Sequence, residues 1–285
     1  IQTGICRSPC RDRGGGVMSY QLRILSLGAG VQSTAIFLMS CLGVLPRVHC
    51  AIFADTGWES TATYQHLEWL EKVGEVYGIP IVRVGSDSLR ERLLDRHLSF
   101  DPIPSFILRD GKIKMGRRQC TWDFKLEPIR KKIRSLLGLK PKQWAPRGAV
   151  ELWIGISLDE LKRTKTYRPN RMTHVLFPLI ERVQMDRQQC IQWINKHFPG
   201  HIPPRSSCIG CPYHTDTEWG LLSDDEFADA CLVDETLRNI RGATFLHRTC
   251  TPLAEIDFTD HRQLSLFDDE AQKHGMIITG LEDEL

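Results

Sequence analysis

The stretch Leu25-Ser-Leu-Gly-Ala-Gly-Val-Gln-Ser33 sets a turn of small residues between an apolar run and a segment of helical spacing. A second apolar run follows and ends in Asp55-Thr-Gly57. Strand, tight turn, helix, strand, acidic turn is the order in which an α/β chain builds an anion site. Gly28 and Gly30 can take positive φ and let main-chain N–H groups approach an anion closely. A helix starting near Val31 turns its positive end toward the same point. Ser26 and Ser33 add hydroxyl donors. A bare Gly-x-Gly is also an ordinary βα turn, so the rest of the chain has to decide between the two.

The chain has 285 residues, enough for one large domain or a domain with an appended lobe. Lysine and arginine number 37 against 35 acidic residues, so net charge alone makes no case for a nucleic-acid partner. No uninterrupted apolar run approaches the roughly 20 residues of a membrane span, and residues 1–17 lack the apolar core of a signal peptide. These features imply a cytoplasmic protein with no membrane partner. Residues 1–17 read as upstream or disordered sequence. In a reducing compartment, clustered cysteines among the ten are expected to bind metal or react rather than pair. The isolated Cys41, Cys50, Cys190, Cys231 and Cys250 read as small apolar side chains.

Along the chain, Leu22–Leu27, Val48–Ala54, Ile79–Val84 and Val150–Ile156 read as strands, the buried kind that is apolar throughout. Helical spacing covers Gln32–Met39, Ser60–Tyr77, Leu126–Leu137, Asp186–Phe198 and Asp224–Arg241. Pro128 falls in a first turn, where proline is tolerated, and Asp186 suits an N-cap. Residues 101–114 read as a loop or hairpin, and residues beyond about Asp257 as a weakly ordered tail. The βαβαβ order predicts a doubly wound parallel sheet with right-handed crossovers, followed by a Cys-bearing C-terminal extension. Ligands of such sheets lie at the carboxyl ends of the strands, where the Ser26 loop and Asp55 both fall.

Cys208-Ile-Gly-Cys211 is the second signal. Two cysteines spaced C-x-x-C on a glycine-containing turn can bring both thiolates to one metal, with His214 three residues on. Cys120 is the candidate third thiolate. The set Cys120, Cys208, Cys211 and His214 fits a [4Fe-4S] cluster, with zinc as the alternative. Arg117, Arg118, Lys125, Arg130, Lys131 and Lys132 form a basic run around Cys120, and Lys162-Arg-Thr-Lys165 follows the fourth strand. Guanidinium and ammonium groups suit phosphate or sulfate. The chain contains no Walker motif and no His-Glu-x-x-His, and no Ser-His-Asp arrangement is legible.

In this order, the motifs from Leu25 to His214 resemble those of the phosphoadenosine phosphosulfate (PAPS) reductase family. That family lies within the adenine-nucleotide α-hydrolases, which also include ATP pyrophosphatases and tRNA thiolation enzymes. Ser26–Ser33 resembles its modified pyrophosphate loop, or PP-loop. Gln32 stands where ATP-cleaving relatives carry Asp and where sulfonucleotide reductases often carry Gln. Asp55-Thr-Gly57 with Tyr64 resembles its Asp-Thr-Gly signature, and Cys120-Thr-Trp-Asp-Phe-Lys-Leu-Glu-Pro128 its Cys-Cys-x-x-Arg-Lys-x-x-Pro element. Trp153-Ile-Gly155, Phe177-Pro-Leu179, Trp193 and Ile209-Gly-Cys211 complete the series. The departures are definite. Thr121 replaces a second adjacent cysteine, His214 replaces a last one, Cys208 is added, and no Glu-Cys-Gly element follows Asp257.

The resemblance implies a nucleotide-binding domain over 18–215 and a helical extension over 216–285. It implies an adenine nucleotide (PAPS, APS or ATP) held by Ser26, Gly28, Gly30, Gln32, Ser33, Asp55, Thr56 and Gly57. Arg118, Lys125 and Arg163 would stabilise charge on phosphate or sulfate oxygens. The expected chemistry is sulfonucleotide reduction or ATP-dependent sulfur transfer, with a thiol reductant or sulfur-donor protein as partner. Gln32 lacks the carboxylate that Mg²⁺ favours, which tips the reading toward a sulfonucleotide. Two other readings stand beside it: a tRNA- or DNA-modifying sulfur enzyme, and a non-catalytic nucleotide-binding module with structural zinc.

Overall fold

The structure is a computed structural model and describes residues 10–11, 17–18, 20–85, 87–97, 101–167 and 171–258. Most of segment 1–17 and the tail beyond residue 258 thus lie outside the described residues. The chain divides into two compact units, one formed by the part up to Ser88 with Thr121–Ser206, the other by Leu89–Cys120 with the part from Ser207 onward. Both units are discontinuous in sequence, unlike the expected 18–215 and 216–285. The reason lies in pairing. Thr244–Phe245 forms an antiparallel ladder with Phe106–Arg109, which ties the 89–120 segment to the C-terminal part.

The first unit is α/β. Its strands are β1 (Leu22–Leu27), β2 (Cys50–Ala54), β3 (Ile81–Val84), β4 (Val150–Ile154) and β5 (Thr173–Leu176), in the spatial order β3-β2-β1-β4-β5. All four pairings are parallel. This order is compatible with a Rossmann-like fold, and the crossover from β3 to β4 puts the topological switch between β1 and β4. Helices α1 (Val31–Cys41), α2 (Thr61–Tyr77), α3 (Glu127–Leu136) and α4 (Arg187–His197) cover both faces. Leu25, Leu27, Phe53 and Trp153 face a core that includes Phe37, Leu67, Leu70 and Ile194, while Ile24, Ile52 and Val150 face Ile129 and Ile133. The period-two alternation of β1 therefore feeds two apolar cores, which explains why its sequence is apolar without a polar face.

Local chemistry sets the helix ends. The Ser60 hydroxyl caps α2 at the Thr63 N–H, and Gly78, at φ 67°, closes it in the left-handed conformation. Asp186 caps α4, as the sequence suggested, and Gln189 completes a capping box with it. Pro128 lies in the first turn of α3. Helix α1 is buried from Val31 to Cys41 except at Gln32, and carries no charged residue. Phe37, Ile36 and Leu38 are each fully buried, worth about 1.5–3 kcal/mol apiece. Strand β5 is the element of the central sheet that the sequence reading did not anticipate. Four residues are too few for a periodic signal, and its ladder comes entirely from β4.

The second unit holds a hairpin, Phe106–Arg109 with Lys112–Met115, and a long helix, Asp224–Arg241, with a Ser223/Glu226 capping box. Asp234 on that helix is fully buried and accepts the N–H groups of Leu246 (2.7 Å) and Leu253 (2.9 Å). A buried carboxylate bonded this way pins the segment that follows the helix. No helix among the described residues is long and apolar enough to cross a membrane.

Candidate functional site

The turn after β1 is closed by one side chain. Ser33 Oγ accepts the Gly28 N–H (3.2 Å) and donates to the Gly30 carbonyl (3.2 Å). Gly30 is the N-cap of α1 and brings no side-chain cap, so the first main-chain N–H groups of the helix, the donors that bind anions at such ends, have no side-chain acceptor there. Positive φ is not where the sequence reading put it. Gly30 is extended at φ −96°, Gly28 is not in the left-handed region, and Ala29 takes φ 55° while fully buried. The glycines serve close approach instead: a Cβ at Gly30 would lie 3.2 Å from Ser206 Cβ.

The end of β4 presses on the same turn. A Cβ on Gly155 would lie 2.8 Å from Ser33 N and 3.0 Å from Ser33 Cα, so only glycine lets β4 pass this close to α1. The Gln32 amide donates to Ser157 Oγ and Glu160 Oε2, both at 3.3 Å. Ser157 is fully buried. Arg163, expected to meet phosphate, forms an ion pair with Glu160. Gln32 itself carries no charge, but a carboxylate does stand beside it, delivered from 128 residues away. Glu160 and Ser157 had no signal in the sequence that tied them to residue 32.

At the end of β2, Asp55 Oδ1 accepts the Gly57 N–H and the Tyr64 hydroxyl, each at 2.8 Å. Burial, then the bond to Asp55, pushes the Tyr64 phenol above its ordinary range, so Tyr64 stays a donor. Thr56 is fully buried and gives its hydroxyl to Glu59 Oε1 at 3.0 Å. Lys125 Nζ lies 3.5 Å from the same oxygen. Lys125 belongs to a π-helical turn, Thr121–Leu126, that leads into α3, and such turns recur at functional positions. Glu59, with a side chain 1% exposed, is, like Ser157 and Glu160, a residue that sequence reasoning missed. Ser26, the remaining loop residue, is half-buried on β1.

Behind the loop, Thr34 Oγ1 and His66 Nε2 share a 2.9 Å hydrogen bond inside the core. Burial, reinforced by His201, drives the His66 imidazole down to about 4, so it is neutral at physiological pH. Cys41, Cys50 and Cys190 are buried, with thiols raised to about 11, 11 and 12 by desolvation. Such thiols are inert packing groups.

In the second unit, Cys208 and Cys211 share one turn, closed by the Cys211 N–H on the Cys208 carbonyl at 3.1 Å. The His214 N–H in turn meets the Cys211 carbonyl at 3.0 Å. His214 is buried edge-on to Trp219 and has Ser207 Oγ 2.9 Å from Nε2. Cys120 is half-buried, its N–H bonded to the Pro102 carbonyl, and the Arg118 guanidinium lies over the Tyr213 ring at 5.1 Å. The two-thiolate turn suits zinc or an iron–sulfur centre in ligand type. Among the described residues, no three His, Cys, Asp or Glu side chains are gathered as a metal-holding group. The turn brings two of the expected ligands, Cys208 and Cys211, onto one loop.

No protein-family model matches the chain, and none of the curated proteins compared with it matches.

Proposed function

We propose that the chain is a PAPS reductase-like enzyme of the adenine-nucleotide α-hydrolase type. It binds a sulfonucleotide or ATP at the carboxyl ends of β1, β2 and β4 and carries out sulfur chemistry, either reduction or sulfur transfer. The observation that carries this reading is the convergence, at the β1/β4 switch point, of an uncapped helix N-terminus with the Gly155 passage. That is where doubly wound sheets hold phosphates. Main-chain N–H groups of the turn between Ala29 and Gln32 take the anionic end of the nucleotide. Gln32, oriented by Ser157 and Glu160, contacts it as a neutral donor and acceptor. Lys125, braced by Glu59, neutralises charge that develops on phosphate or sulfate oxygens, and Arg163 is the further cation of this reading. A metal centre at Cys208 and Cys211, completed by Cys120 and His214, belongs to the proposal as a [4Fe-4S] cluster or zinc ion. None of these roles depends on it.

Mass spectrometry of the nucleotide that copurifies with the protein, followed by calorimetric titration with PAPS, APS and ATP, tests the reading. An adenine nucleotide should be found, and Lys125→Ala should weaken the preferred ligand about 10- to 100-fold, the worth of one charge-assisted hydrogen bond. No binding of any of the three at millimolar concentration would overturn it. Iron, sulfide and zinc analysis after anaerobic purification decides the metal.

A further inference from the structure

The hairpin of the second unit carries a feature that the nucleotide site does not use. Its strands pair in the register Phe106↔Met115, Ile107↔Lys114, Leu108↔Ile113 and Arg109↔Lys112. Directly opposed residues share a face, so Phe106, Leu108, Ile113 and Met115 form one side and Ile107, Arg109, Lys112 and Lys114 the other. Asp110 and Gly111, at φ 52° and 68°, make the tight two-residue turn between them. Every residue from Ile107 to Met115 is exposed, and Lys112–Met115 is the outer strand of its three-stranded sheet. Arg117, just beyond, is also exposed. Among the described residues, none of Arg109, Lys112, Lys114 and Arg117 is in an ion pair with a carboxylate, so the charge of this face is carried to solvent.

Cations without carboxylate partners on an exposed hairpin, with one acidic residue among them, complement a polyanion. Lysines on an edge strand also discourage strand-to-strand association, but that need is met by one or two charges and does not call for three cations on one face. Beyond Ile107, the last residue paired with Thr244, the hairpin is two-stranded, and the B-DNA major groove, roughly 12 Å wide, admits a two-stranded ribbon. The A-form RNA major groove is too narrow and deep for this. We infer that this basic face is a docking surface for double-stranded DNA, with Arg109, Lys112, Lys114 and Arg117 on its phosphates.

Fluorescence anisotropy with a 5′-labelled duplex of about 20 base pairs tests the inference across salt concentrations. Four phosphate contacts give a slope of log affinity against log salt near −3.6, a loss of about a hundredfold between about 50 and 200 mM. Lys112→Ala/Lys114→Ala should lower the slope by about two, and Arg109→Gln/Arg117→Gln should do the same independently. Circular dichroism melts of both variants should match the parent, since all four side chains are exposed. No duplex binding at about 50 mM salt, a slope unchanged in both variants, or tighter binding of transfer RNA than of duplex would overturn the assignment. The inference does not rest on the nucleotide reading. A protein that binds ATP but not duplex defeats the ribbon, while one that binds duplex but no adenine nucleotide defeats the other.

Discussion

Gly155→Ala adds one methyl at the end of β4, 2.8 Å from Ser33 N, 3.0 Å from Ser33 Cα and 3.2 Å from the Gln32 carbonyl carbon. All three are backbone atoms in the first turn of α1, so no side chain can rotate away to make room. Helix α1 is buried along its length and cannot shift freely, so β4 and the turn must separate by several tenths of an ångström. Overpacking of this kind costs about 1–3 kcal/mol. Because the displaced atoms are those that aim the N–H groups at the proposed anion, nucleotide affinity should fall with stability. Urea denaturation gives the first quantity and calorimetric titration with ATP and PAPS the second. Gly74→Ala supplies the contrast. Its Cβ would lie 2.5 Å from the Ile79 carbonyl oxygen near the C-terminal end of α2, so stability should drop while affinity in the folded protein holds. A Gly155→Ala protein within about 0.5 kcal/mol of the parent, with unchanged affinity, would refute the claim that β4 holds the turn in place.

Other outcomes follow from the same geometry. Ala29 occupies a left-handed conformation that costs an L-residue about 1–2 kcal/mol, so Ala29→Gly should be neutral to slightly stabilising in urea, and a marked loss would show that its methyl packing outweighs the strain. His66 is held at about 4, below an unfolded value near 6.5, so its contribution is whole above pH 6.5 and lost as pH falls through about 4. That loss is about 3 kcal/mol at most, and His66→Gln should flatten this acid limb in pH-dependent denaturation; an unaltered limb would assign it to other groups. Glu151, fully buried, accepts Arg23 Nε at 2.5 Å and Trp153 Nε1 at 2.7 Å between adjacent strands. Glu151→Gln leaves the Arg23 charge buried without its partner and should destabilise by about 3 kcal/mol, whereas a loss below about 1 kcal/mol would mean that Arg23 finds another partner or water.

Local chemistry alone settled much of this molecule. The bounds of β1, the cap of α4 at Asp186, the helix Asp224–Arg241 and the tolerance of Pro128 follow from residue types within a few positions of each other, as does the inertness of Cys41, Cys50 and Cys190. Helix spacing, capping and continuous apolar runs act over short stretches of chain, and such signals survive in one dimension. The tertiary structure decided what depends on distant partners. It placed β4 beside β1 and so created the switch point, recruited Thr173–Leu176 as a fifth strand, and put the strained φ on Ala29 instead of its glycine neighbours. Gln32 meets Ser157 and Glu160 across more than 120 residues, and Glu59 meets Lys125 across the π-helical turn. Burial and hydrogen-bond satisfaction select such pairs only once the strands have been ordered, because a polar side chain takes whichever partner the packing brings within reach.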